Sequence, residues 1–202
     1  MKKWFLTLSC GLFACAMSNA QNSCVRIGPL INYGLTTLHT SQVGTGANVT
    51  FVQRCNGFVS VYEDAMLMLH GAKTEKQGNY SYGAWNAQAG VGFNLNLIRS
   101  EDEARLYTIL GCSYNYTKAI FIDFGQETNA EGYESNTKNS SFYPGVVAGI
   151  GSRFHWGPNR AIALELKYNL LFSDYFDAIK TSDSGYNDVF VSFCFKVELP
   201  MK

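Results

Sequence analysis

The sequence predicts an all-β fold: an eight-stranded antiparallel up-and-down transmembrane β-barrel, preceded by a cleaved signal peptide. Three observations carry this expectation. Runs of about ten residues alternate between apolar and polar or small side chains. The number of such runs is even. The connections between them are short and long in turn. Composition agrees, because only 16% of the 202 residues are charged, against roughly 25% in an ordinary soluble domain. Sixteen Lys and Arg balance sixteen Asp and Glu, so no basic field exists for binding nucleic acid. The length suits one domain.

Residues 1–20 read as the export signal. Lys2 and Lys3 form a positive start, Trp4 to Met17 carry no charge, and Ser18-Asn19-Ala20 offers small residues for cleavage. The apolar stretch is short for a membrane helix. A second processing route is lipidation of Cys15, since Leu12-Phe13-Ala14-Cys15 resembles a lipoprotein box. Cleavage would leave residues 21–202 as the barrel domain, with 14 basic against 16 acidic residues. Cys24, Cys55, Cys112 and Cys194 then remain. An oxidising compartment permits disulfides, and Cys24 with Cys55 is the candidate pair because both fall at one end of neighbouring strands. The alternative is four free, buried or lipid-facing thiols.

The strands are expected at about 25–36, 47–55, 58–69, 84–97, 105–117, 143–155, 161–172 and 187–199. In the first, Val25, Ile27, Ile31, Tyr33 and Leu35 oppose Arg26, Gly28, Asn32 and Gly34. Pro29 interrupts that run, because it lacks a ladder donor. The second run, 47–55, alternates only briefly. The third contains Glu63 beside Asp64, which requires one outward charge or a phase-resetting bulge. The fourth alternates most cleanly: Trp85, Val91, Phe93 and Leu95 oppose Asn86, Gln88, Asn94 and Asn96. Residues 105–117 carry apolar side chains on both faces. The last three runs place Arg153, Glu165, Lys167, Lys196 and Glu198 on the polar face. Asn56-Gly57, Arg99 to Ala104 and Gly157 to Arg160 are short turns. Residues 37–46, 70–83, 118–142 and 173–186 are expected as long loops.

Alternation alone does not say which face is inside. A soluble lipocalin-like ligand-binding barrel would hide the apolar face. Here the polar face is mostly Asn, Gln, Gly and Ser, whereas water-facing strands carry more charge. Aromatic residues gather near strand ends, among them Tyr80, Trp85, Tyr116, Phe142, Phe172 and Tyr175, as at a membrane interface. Hydrocarbon offers no hydrogen-bond partner, so strands crossing it must close into a barrel. The expected lumen network is Arg26, Asn86, Gln88, Asn94, Arg153, Glu165, Lys167 and Lys196, joined by Arg54 and Glu198. Charges buried together there must pair.

The alternating, Gly-rich runs from Ala84 to Phe93 and from Pro144 to Gly151 carry a resemblance. The chain resembles eight-stranded outer-membrane β-barrel proteins of Gram-negative bacteria, similar in plan to OmpX and the OmpA barrel, and to PorT-like barrels. This implies an outer-membrane location reached by export through the inner membrane. It implies outer-membrane lipids and the barrel-assembly machinery as partners. Many such proteins end on an aromatic residue, whereas the last aromatic here is Phe195, before Lys196 to Lys202.

Catalytic patterns are sparse. The mature chain has His39, His70 and His155. Ser60, Asp64, His70 and Ser81 are near in sequence, without the spacing of a lipid A deacylase. Adjacent Glu63 and Asp64 face apart and cannot act as a pair. No metal-ligand spacing and no phosphate loop is present, so no cofactor is expected. Segments 118–142 and 173–186 each carry a net charge of −2. They are the candidate surface for an extracellular ligand or protein, directly or through a divalent cation, or else solvated loops. The expected function is a structural or surface-interaction protein with a filled lumen. The alternatives are a lipid-modifying outer-membrane enzyme and the soluble barrel.

Overall fold

The computed structural model describes residues 23–35, 41–55, 58–74, 80–98, 105–123, 134–135, 140–157, 160–172, 179–180 and 189–201. The export signal, Cys15, His39 and the Asn56-Gly57 turn lie outside them, as do most of segments 118–142 and 173–186. Eight strands form the barrel: β1 (Ser23–Leu35), β2 (Ser41–Arg54), β3 (Val59–Thr74), β4 (Tyr80–Asn96), β5 (Arg105–Asp123), β7 (Ser140–Gly157), β8 (Arg160–Leu171) and β10 (Val189–Pro200). Two short strands, β6 (Glu134–Ser135) and β9 (Ile179–Lys180), pair separately. Every barrel strand pairs antiparallel with its neighbours, and β1 closes the ring against β10. The Met201 amide donates to the Ser23 carbonyl at 3.1 Å where the ends meet.

The alternation resolves into two surfaces. Phe93 is 54% exposed while Asn94 is 4% exposed. On the other strands Ile31, Leu67, Ile150, Leu166 and Phe193 face outward, and Arg26, Asp64, Glu165 and Lys196 are buried inside. Greasy side chains outside and polar ones within exclude the soluble ligand-binding barrel, whose cavity would be apolar. A continuous apolar exterior of this extent is stable only against another apolar phase.

Several expectations are corrected. Segments 37–46 and 70–83 are largely strand, so only residues 36–40 and 75–79 separate those neighbours. Gly44, Gly46 and His70 turn inward there, and small or polar inward residues at a strand's end look like loop. Near Glu63, of the two expected alternatives it is the outward charge that occurs and not a bulge, because the registers of β3 with β2 and β4 are unbroken. Asp64 points into the lumen, and Glu63 faces out near the turn end. The actual register shifts lie at Gly83/Ala84 and His155/Gly157. Strands of 12 to 19 residues exceed the roughly 9–11 needed to cross a bilayer, so the barrel projects beyond it.

Cys24 and Cys55 are not bonded; the four cysteines among the described residues are all free. Cys24 sits opposite Val52, and both point inward. Cys55 lies three residues further on, so the two-residue period turns it to the other face, where it is exposed.

Candidate functional site

The lumen is where the sequence's charges converge. Barrel closure brings β1, β3, β8 and β10 around one axis, so inward residues far apart in sequence meet. Arg26 on β1 donates through Nε to Glu198 Oε2 at 3.0 Å, and through Nη1 to Tyr107 Oη at 2.9 Å and Glu165 Oε1 at 3.2 Å. Tyr107 donates in turn to Glu165 Oε1 at 2.8 Å. Arg153 forks onto Glu198, with Nε to Oε2 at 2.8 Å and Nη2 to Oε1. Arg54 reaches the same carboxylate at 3.3 Å.

A second knot lies deeper. Lys196 Nζ donates to Glu165 Oε2 at 2.7 Å and to Thr50 Oγ1 at 2.6 Å. Lys167 Nζ donates to Asp64 Oδ2 at 2.8 Å and pairs with Glu165 at 3.3 Å. Asn48 and Thr50 both donate to Asp64 Oδ1 at 2.6 Å. These charged groups are all nearly inaccessible to solvent. Unpaired, each would cost several kcal/mol, so the interlocking makes the arrangement tolerable rather than strongly stabilising.

Towards the loop end, amides replace charges. Asn169 donates to Gln88 at 2.9 Å and accepts from Ser113 at 3.1 Å. Asn86 donates to Thr117 at 2.9 Å, and Asn32 to Ser192 at 3.0 Å. His70 lies inside the barrel against the edge of Phe190, with ring centroids 5.3 Å apart. Of the expected lumen residues, Arg26, Arg153, Glu165, Lys167, Lys196, Asn86 and Gln88 join these clusters. Asn94 is buried beside the arginines at the turn end. Arg54 is the most exposed member, at 41% of its side chain.

The expected lumen network lacked Asp64, Asn48, Thr50 and Tyr107. Asp64 was obscured by adjacent Glu63, and Tyr107 by the apolar residues around it. The period of two was the available signal: each has the same parity as an inward neighbour. Tyr107, Ile109, Val52, Tyr62, Val147 and Cys24 form an apolar cluster inside the barrel, which is why residues 105–117 looked apolar on both faces. No group of three or more His, Cys, Asp or Glu suited to a metal occurs among the described residues.

No family model and no curated protein matches the sequence. Solved structures do match. Neisserial surface protein A aligns over 89% of this chain and 97% of its own, with a TM-score of 0.51 and 14% identity. The attachment invasion locus protein Ail of Yersinia pestis, in complex with the heparin analogue sucrose octasulfate, covers 88% and 96%, with a TM-score of 0.53 and 14% identity. The outer membrane protein OprG of Pseudomonas aeruginosa covers 90% and 96%, with a TM-score of 0.53 and 12% identity. The fold is that of eight-stranded outer-membrane β-barrels of Gram-negative bacteria. With its apolar exterior, it defines the class of protein as an outer-membrane barrel.

Proposed function

We propose that this chain is a surface-interaction protein whose plugged barrel anchors recognition loops, and that it acts without catalysis or steady transport. The observation that carries this reading is the ion-paired lumen. Arg26, Lys167 and Lys196 interlock with Asp64 and Glu165 across the interior. Eight strands enclose about the space that side chains fill, which leaves recognition to the loop end. The short turns face the periplasm in this reading. Outer-membrane lipids surround the belt, and the barrel-assembly machinery inserts it.

The two longest connections, within 118–142 and 173–186, are joined by the β6–β9 pair, Glu134 opposite Lys180. That favours their acting as one surface. Ail was solved with a polyanionic heparin analogue. The net −2 on each segment here repels such a ligand, so charge favours a cationic partner or one bridged by a divalent cation. His70 is 4% exposed and inside the wall, away from any acyl chain, which supports a non-enzymatic role. H70A is expected to leave the lipid A profile unchanged by mass spectrometry.

Four measurements test the proposal. The protein should fractionate with the outer membrane and migrate differently on gels before and after heating. It should give no steady conductance in planar bilayers. Deleting 124–133 should preserve the folded band and abolish cell-surface binding. Soluble periplasmic recovery, or a stable open channel, would overturn it.

A further inference from the structure

Among the described residues, the lumen holds more cations than carboxylates. Arg26, Arg153, Lys167 and Lys196 are buried with only Asp64, Glu165 and Glu198. Glu198 is shared by Arg26, Arg54 and Arg153. Glu165 is shared by Arg26, Lys167 and Lys196. The surplus is concentrated at the turn end. A half-open cavity of about 20 Å³ lies there, lined by Arg26, Arg54, Arg105, Arg153, Ser60 and Asn94, among others. Four arginines line it, and among the described residues no carboxylate does.

A space needs about 10–15 Å³ to accept one water-sized group. This cavity therefore admits one oxygen of a small anion, while the open side leaves room for the rest of the group. Guanidinium forks match such oxyanions with paired donors, and the low-dielectric wall strengthens the attraction. We propose that the arginine-lined cavity at the turn end of the barrel is a binding site for one phosphate-class oxyanion. Arg26 and Arg153 form its floor while keeping hold of Glu198. Arg54 and Arg105 supply the outer donors. Free phosphate and the phosphate ester of a lipid headgroup present the same group to these side chains.

The test uses the mature chain refolded in maltoside micelles, which contain no phosphate. Inorganic phosphate is titrated at constant ionic strength against chloride, with binding read by calorimetry and folding checked by heat-modifiable migration. Saturable one-site binding is expected. Arg54→Gln and Arg105→Gln should each weaken it about tenfold, the loss of one charge-assisted contact. Arg160→Gln removes an exposed charge at the same end that does not line the cavity, and should leave binding unchanged. Competition by glycerol phosphate would support a soluble source; binding only of phosphatidylglycerol mixed into the micelles would support a headgroup. No saturable response to either probe would overturn the site, as would equal losses in the Arg105 and Arg160 variants, which would mark bulk attraction.

Discussion

Glu198 accepts from the guanidiniums of Arg26, Arg54 and Arg153 while being only 4% exposed. Replacing it with Gln removes the charge and leaves the arginines facing one another. Glu198→Gln should therefore destabilise the barrel by about 3–5 kcal/mol, the usual cost of orphaning a buried charge. The urea midpoint of the protein in micelles measures this. Arg153→Met combined with Glu198→Met should recover part of the loss, because removing both partners also removes a desolvation cost. High salt should change wild-type stability little, since counterions screen buried pairs weakly. Asp64 belongs to the same class and Glu63 does not. Asp64→Asn strips Lys167 of its 2.8 Å partner, whereas Glu63→Gln changes only an outward group near the barrel's rim, so the first variant should be much the more damaging.

Strand β1 shows how a flaw in a pattern becomes a device in the wall. Its pairing with β10 lapses at Gly28 and Pro29 and resumes in the same register at Leu30 opposite Cys194. Pro29 has no donor to give, and a side chain at Gly28 would collide with the Phe195 carbonyl. Strands β5 and β7 use another glycine. Tyr107 lies opposite Gly151, and a Cβ there would run into the tyrosine ring. Gly151→Val should displace Tyr107 from Arg26 and Glu165 and cost about 1–3 kcal/mol, in the range of overpacked cores, read as a lower midpoint with migration retained. The inward and outward faces of β4, β8 and β10 were legible because their alternation is uninterrupted. That of β5 was not, since Tyr107 and Ile109 are apolar side chains inside a polar lumen. Arg26, Glu165, Lys167 and Lys196 could be placed on the inner face by parity. Their partners could not be read, because which acid meets which base depends on register and closure between strands more than 100 residues apart in sequence, as with Lys167 and Asp64.

The molecule as a whole is an ordinary protein turned inside out, and its surface should obey the energetics of lipid. Leu166 sits near the middle of β8, paired with Ile150 on one side and Phe193 on the other, all outward. Lys167, the next residue, is fully accommodated inside by Asp64 and Glu165. A lysine placed at 166 would meet only apolar neighbours and hydrocarbon. Leu166→Lys should cost about 2–4 kcal/mol, whereas Leu199→Lys, at the barrel's end, should cost about 0–1 kcal/mol, because charge is penalised most at the bilayer midplane. Unfolding in lipid vesicles measures both. A soluble surface has no such depth dependence, so equal costs at the two positions would mean that the apolar wall does not lie in a membrane. A steep difference would locate the hydrocarbon band along β8 and β10, and with it the height at which the longer strands emerge to carry the loops.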